Sequence, residues 1–551
     1  MKTLLYSSVV LVVVVAVLRN QFSKQFVNMA DLVLDQIYFG LCKLDGVQEF
    51  NQRSPNYMEG NWIPVHKELK GVGVPGKGNL PQELVGTTYA RIGPNLKCWP
   101  PTNKHHAFNG EAMIHTIHMD TNSSIKYSNN WIRENLPNKR WDDIGKECGP
   151  TFGFADLNDG GLVLFRYLVL KMKSKLKGIV HPPQERIQAG STAIVHHAEK
   201  IFACSELFLP FEIKMSSDSV NPIGFYDYHG KLTNRKNGPV DGTFSAHPVI
   251  DEKTGDLYYA STNQAAGSVA GGQPFLDLGV VDKTGVLYKL FHIPIRNPTS
   301  AFYHDIMLTE NYVIIPETSL KKDVTRLNSY KTLTFYNETE PMRFGIIRRD
   351  AQSADEIVWI ATQFPGHIWH TITAKEEKGR ITVYSPKFET YSDRVNIHLT
   401  SEEPSYLTKF EINLETGECK EKRISELVVE RPSTNPKFLT HRYAYVRSEG
   451  LSSREMGSEV VKFDLKSETV VGKIRCNPEC IFNEALFVPR ENGRSEDDGF
   501  LMDIVYYPSS HSSAFAVWDA RTMSELPIFE SPLPQRVPYG VHGIWFQSLP
   551  S

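Results

Sequence analysis

The stretch SEDDGFLMDIVYY, residues 495–507, sets the fold class. A polar run ending in Gly499 leads directly into a segment of Phe, Leu, Ile, Val and Tyr, the pattern of a hairpin turn feeding a β-strand. The same pattern recurs in DEKTGDLYY (251–259) and DLNDGGLVLF (156–165). Further short β-rich runs follow along the chain, among them GTTYARIG (86–93), GGLVLFRYLVL (160–170), TAIVHHAEKIFAC (192–204), NYVIIPE (311–317), GRITVYSP (379–386), EVVKFDL (459–465) and SAFAVWDA (513–520). Each is bounded by Gly, Asp, Asn or Pro. Long amphipathic helices are nearly absent after residue 60, and no linker interrupts the middle. The reading is one all-β unit over 60–551. For so many hairpins, a closed radial array of blades leaves few exposed edges.

Composition narrows the function classes. The 551 residues are 41% apolar and 22% charged, the balance of a folded globular chain. A net charge of −3 supplies no basic face, so nucleic acid is not an expected partner. Seven scattered cysteines, Cys42, Cys98, Cys148, Cys204, Cys419, Cys476 and Cys480, lack zinc-site spacing and read as mostly free thiols. Two glycosylation sequons, at Asn122 and Asn337, point weakly toward the secretory route. The apolar run LLYSSVVLVVVVAVL (4–18) is flanked by Lys2, Arg19 and Lys24. It is shorter than the roughly 20 residues that span a bilayer, and it reads as a signal peptide or an uncleaved anchor within residues 1–25. Residues 26–59 read as a connecting segment. YLVLKMKSKLKGIV (167–180) interleaves Lys171, Lys173, Lys175 and Lys177 with apolar residues, as a membrane-surface segment or a solvated edge would.

Four of the eighteen histidines sit at the ends of expected strands: His247, His304, His370 and His542. A single histidine of this kind is ordinarily a hydrogen-bonded strand residue. Four at near-commensurate steps suit strands of successive blades converging on one axis. If they meet, four neutral imidazoles form a nitrogen site for Fe, Cu, Zn or Ni rather than Mg or Ca. Each ligand also needs an acceptor for its second nitrogen. Glu206, Glu430 and Glu484 lie in apolar strand contexts where an unpaired charge is costly, so they are candidates for that role.

The chain resembles the carotenoid cleavage oxygenase family, which also holds stilbene-cleaving dioxygenases and the retinoid isomerohydrolase. The resemblance rests on GNLPQELVGTTYARIGPN (78–95), HHAFNGEAMIH (105–115), AGSTAIVHHAEKIFACSE (189–206), EDDGFLMDIVYY (496–507) and the blocks around the four histidines. It implies a seven-bladed β-propeller with capping loops and short helices. It also implies Fe(2+) held by His247, His304, His370 and His542, with Glu206, Glu430 and Glu484 behind them. Thr192 of GSTAIV would stand beside a vacant iron position. In FPGHIWHTITAKEE (364–377), His370 is the expected ligand and His367 its neighbour. Three positions depart from the family pattern: Ala112 for a usual glycine, Thr373 for asparagine and Arg431 for an aromatic.

The implied reaction is oxidative cleavage of a carbon–carbon double bond in a carotenoid or apocarotenoid, with O2 and a hydrophobic polyene as substrates. A stilbenoid dioxygenase or a retinyl-ester isomerohydrolase is the alternative on the same scaffold. A propeller serving only as a binding platform is the reading from another class. Membrane association follows from the apolar N-terminus. Nothing in the sequence selects the bond, the organelle or the oligomeric state.

Overall fold

The computed structural model describes residues 24–52, 57–132, 162–177, 190–206, 208–232, 243–263, 274–296, 298–323, 325–326, 332–391, 403–449, 457–476 and 479–550. The apolar run at 4–18 lies outside them. The described chain is mostly β. Its strands form antiparallel sheets, built largely from hairpins of adjacent segments.

One sheet holds Leu69–Pro75, Ser124–Trp131, Glu111–Thr121 and Thr88–Asn95, and the C-terminal strand Gly543–Phe546 pairs onto its far edge. Four-stranded sheets follow at Ala193–Phe225, Val249–Pro294 and Met307–Ala361, then a seven-stranded sheet at Thr373–Arg475. The last sheet, Leu486–Pro532, accepts the short strand Lys77–Gly78 from the start of the chain. The two ends of the chain therefore interlock. Residue 546 pairs with residue 88, and residue 78 with residue 529. Closure of this kind pairs an outer strand of each sheet with a segment from the far end of the β region, leaving only short strands at those edges.

The closing seam is tight. A Cβ on Gly93 would lie 2.7 Å from the Cα of Gly540, and one on Gly540 would lie 2.9 Å from Ile92 O. Only hydrogen at both positions allows the 538–542 loop to lie against the strand Thr88–Asn95. Arg91, 1% exposed, reaches across the seam from that strand and donates to Ile504 O (2.8 Å) and Pro538 O (3.2 Å).

Three expectations are corrected. GGLVLFRYLVL does not form a strand. From Val163 it belongs to the α-helix Val163–Lys177, so DLNDGGLVLF does not run from a turn into a strand, and residues 156–161 of it lie outside the described residues. The physical reason is spacing. Val163, Arg166, Val169, Leu170 and Leu176 are buried at helical intervals, and Arg166 is paired with Asp45 at 2.7 Å. Second, the span expected to be a connector contains the 21-residue helix Lys24–Leu44. Its Ala30, Leu34, Tyr38 and Cys42 recur every fourth residue and pack on the Val163–Lys177 helix. Third, the thiols are not mostly free. Cys476 and Cys480 form a disulfide with Cα atoms 5.3 Å apart, and Cys98 is also disulfide-bonded. Cys42, Cys204 and Cys419 are buried thiols outside any disulfide.

Candidate metal centre

Each of the four histidines precedes the first strand of a sheet or the closing strand. His247 stands two residues before Val249–Asp251, His304 before Met307–Leu308, His370 before Thr373–Glu377, and His542 immediately before Gly543–Phe546. A position just ahead of a strand leaves the side chain free of the pleat while the ladder holds its backbone. His247 also bridges in parallel to Asp305, so two neighbouring sheets present their histidines side by side.

The structure brings all four together. One ring nitrogen from each lies within 4.8 Å of the others, although His247 and His542 are 295 positions apart in sequence. The His304 and His370 Nε2 atoms are 3.2 Å apart, and those of His370 and His542 are 3.3 Å apart. His247 closes the group with its ring centroid 4.4 Å from His304 and 4.3 Å from His542. Its Nε2 is buried without a hydrogen-bond partner.

The three glutamates lie behind three of these rings. Glu430 Oε2 is 2.6 Å from His370 Nδ1, Glu484 Oε1 is 2.7 Å from His542 Nδ1, and Glu206 Oε1 is 2.5 Å from His304 Nδ1. The Glu206 contact is close but bent, and neither atom has a well-aligned hydrogen bond. Glu484 is further fixed by the Gly543 N–H at 2.8 Å. A carboxylate on Nδ1 places the ring proton there and leaves Nε2 as a bare lone pair. Three such lone pairs pointed at one another across about 3.3 Å repel unless a cation lies between them. The donor set therefore fits a divalent metal with nitrogen preference.

Electrostatics agree with that reading. Burial raises the pKa of Glu206, Glu430 and Glu484, but the paired imidazoles outweigh it and hold all three below the usual carboxylate range, Glu430 at about 2. Burial, then its three neighbours, pushes His247 far below its ordinary value, so it stays neutral and able to coordinate. Burial also lowers His542 against the pull of Glu484. At His370 burial lowers the pKa, yet Glu430 overcompensates and the net direction is upward.

His367 does not join the group. It is fully buried, with Nδ1 3.0 Å from Thr318 Oγ1, and its ring meets the edge of Trp369 at 4.5 Å. Thr192 is buried immediately before the strand Ala193–His197, and its N–H donates to Cys204 O. Of the departures, Thr373 has its hydroxyl bound by the His441 N–H at 3.0 Å, and Ala112 is a buried strand residue paired with Pro94.

Two features escaped the sequence reading. Asp305 accepts from both the N–H and the hydroxyl of Thr371, at 2.8 and 2.9 Å, and so ties the His304 segment to the His370 segment. An aromatic wall also borders the centre. Trp369 meets His304 edge-on at 5.0 Å, Phe302 lies 5.0 Å from Trp369, and Trp369 Nε1 donates to Tyr391 OH at 3.1 Å. The tryptophan between the histidines of HIWH was the visible signal for that wall, since a large ring beside a ligand must share its surroundings.

Comparison with known proteins accords with this geometry. The family model described as retinal pigment epithelial membrane protein matches residues 62–547. A carotenoid 9,10(9',10')-cleavage dioxygenase from Crocus sativus is 29% identical over 517 residues, covering 89% of each chain. A carotenoid cleavage oxygenase from Mycobacterium tuberculosis is 24% identical, covering 89% of this chain and 97% of its own. Among solved structures, the lignostilbene dioxygenase of Pseudomonas brassicacearum superposes with TM-score 0.74 at 19% identity, over 90% of this chain and 98% of that one. Cobalt-substituted ACO of Synechocystis gives 0.73 at 21%, over 90% and 99%. The structural likenesses establish a shared fold, and the sequence match over nearly the whole β region establishes descent: the chain belongs to the carotenoid cleavage oxygenase family, that of the retinal pigment epithelial membrane protein.

Proposed function

We propose that this chain is an Fe(II)-dependent dioxygenase that cleaves a carbon–carbon double bond of a carotenoid or apocarotenoid into two carbonyl products. The observation that carries the reading is the convergence of four imidazoles, three of them backed by glutamate. The relatives named as carotenoid cleavage dioxygenases support the substrate class. The scaffold is a seven-bladed propeller in this reading. Counting the seven-stranded sheet as two blades, with the other large sheets one each, gives seven units, and the interlocked termini close the ring.

His247, His304, His370 and His542 would hold the iron. When bound, ferrous iron supplies redox chemistry toward O2. The protein's part is positioning and exclusion. Glu206, Glu430 and Glu484 hold three rings in the tautomer that presents Nε2 inward. Trp369, Phe302 and Tyr391 offer an apolar face beside His304, where a polyene is held and water kept away. By the family resemblance Thr192 would stand beside an open position of the iron, where a small β-branched side chain would limit what can approach. No side-chain acid, base or nucleophile is required.

The test is incubation with a panel of carotenoids, apocarotenoids and stilbenoids under 18O2, with carbonyl products identified by mass. Label in polyene-derived products is the expected result. Label only in stilbene-derived aldehydes would move the reading to a stilbenoid dioxygenase. Unlabelled alcohol from a retinyl ester would move it to an isomerohydrolase, in which the metal acts as a Lewis acid.

A water-insoluble substrate needs a membrane-facing entrance, and the two packed helices supply a candidate surface. Met29, Leu32, Val33, Phe39 and Leu44 on one helix and Phe165 and Leu168 on the other are all exposed. Lys173 does not serve lipid headgroups, because it is paired with Asp31 at 3.1 Å and with Asp35. Lys171 remains exposed beside them, over the ring of Tyr167. Among the described residues no helix is long and apolar enough to cross a membrane, so this surface would dock rather than span. The route to that membrane is proposed to be secretory, on the strength of the disulfides and of Asn122 exposed in a hairpin turn. Leu32→Asp combined with Leu168→Asp is expected to lower kcat/KM on vesicle-embedded carotenoid by at least about a hundredfold, since two buried leucines together are worth about 3–6 kcal/mol and every 1.4 kcal/mol or so is tenfold. Activity on detergent-solubilised substrate should be unchanged. An equal loss in both assays would place these leucines in the fold rather than at the membrane.

A further inference from the structure

The strand Cys419–Ser433 carries Glu430, and its pairing with Tyr443–Glu449 breaks there. Glu430 opposes Arg447 while Pro432 opposes Val446, so Arg431 is the extra residue of a β-bulge. Its φ of +53° lies in the left-handed region that non-glycine residues seldom enter. Bulges redirect side chains, and strain of this kind persists only where the surroundings enforce it.

The surroundings of Arg431 are specific. Its N–H donates to the carboxylate of Glu430, the glutamate behind His370. Its guanidinium, 8% exposed, donates through Nη1 to Val541 O at 2.8 Å, to Gly540 O at 3.2 Å and to Asn483 Oδ1 at 3.3 Å. Gly540 and Val541 lead directly into His542, and Asn483 precedes Glu484, which holds the His542 ring. One side chain therefore joins the support of His370 to the loop that presents His542. An aromatic side chain, with at most one polar hydrogen, could not make these three hydrogen bonds. Charge points the same way. Glu206, Glu430 and Glu484 stand behind the rings, and Arg431, together with Arg447 opposite Glu430, supplies buried positive charge beside them. A buried charge without compensation is expensive, so this balance matters to the loaded site.

We propose that Arg431 is a positioning residue of the metal centre, clamping the 540–542 loop so that His542 meets the ion and offsetting part of the glutamate charge around it. This rests on the four-histidine metal reading above. The test loads the full-length protein with Co(II) and follows its visible spectrum and the rate of its release to EDTA. Arg431→Gln removes the charge while retaining polar reach. Arg431→Lys keeps the charge but is shorter and lacks the planar group whose Nη1 reaches Val541 O, Gly540 O and Asn483 Oδ1. Release is expected to be at least tenfold faster in the glutamine variant, with an altered cobalt spectrum, and faster by a smaller factor in the lysine variant. Should the glutamine variant fail to fold, the lysine variant decides alone, because loss of the Nη1 contacts to the 540–541 carbonyls must still quicken release. Wild-type release rates and unchanged spectra in the folded variants would overturn the proposal. Failure of the wild-type protein to take up cobalt would instead overturn the four-histidine reading.

Discussion

His304→Ala should leave the protein folded and unable to retain iron. The ring of His304 supplies one of the converging Nε2 atoms, 3.2 Å from that of His370. Loss of a supporting partner around a metal ligand typically costs 10–100-fold in affinity, and loss of the ligand itself should exceed about 100-fold. Stability of the metal-free protein should change little for two opposing reasons. Removing one imidazole relieves repulsion among bare lone pairs. It also leaves Glu206, now 2.5 Å from His304 Nδ1, without its counterpart. Metal analysis of the purified variant, read beside its circular dichroism spectrum, gives the answer. Full iron occupancy in a folded His304→Ala protein would remove His304 from the ligand set and break the catalytic account.

The second large effect concerns stability. Glu317 is 1% exposed at the end of the strand Tyr312–Glu317. It accepts two hydrogen bonds from Arg343, at 2.8 and 2.7 Å, and one from Tyr303 OH at 2.8 Å, with Lys321 Nζ 3.6 Å away. Glu317→Ala leaves the guanidinium of Arg343 in the interior without its counter-charge, and Lys321 with Glu340 alone, at 3.6 Å. Removing one member of a buried ion pair costs about 3–5 kcal/mol, because the survivor cannot regain its hydration. Urea unfolding at neutral pH should show a loss of that size. Tyr303 immediately precedes His304, so slower refilling with metal should accompany it. A loss below about 1 kcal/mol would mean that water reaches Arg343 once the carboxylate is gone, contrary to its packing against Trp359.

Much of the β architecture could be read directly. The turns before Leu257 and Phe500 were marked by DEKTGD and SEDDG, and both strands form where the alternation of turn and β-branched run placed them. That information is local. A turn and the strand after it depend on a dozen consecutive residues. The helix Val163–Lys177 was misread because an apolar run of this length suits either a strand or a buried helix. Packing against Lys24–Leu44, more than a hundred residues earlier, decides between them. The disulfide between Cys476 and Cys480 escaped for a related reason. Spacing does not say whether two Cβ atoms face each other, and the loop between the strands Thr469–Arg475 and Leu486–Pro489 brings them together.

At the metal centre the division is sharper. By itself the sequence determined the kind of chemistry available: neutral nitrogen donors, glutamates in apolar settings, and an apolar N-terminus suited to a lipid-soluble substrate. Residue type sets donor character and charge wherever the chain runs. The tertiary structure alone decided that the four rings face one another, that Asp305 ties two of them together, that Trp369 walls the site, and that Arg431 reaches the His542 loop. Those depend on the register of strands hundreds of residues apart and on one extra residue in a ladder, where a shift by a single position turns a side chain to the opposite face.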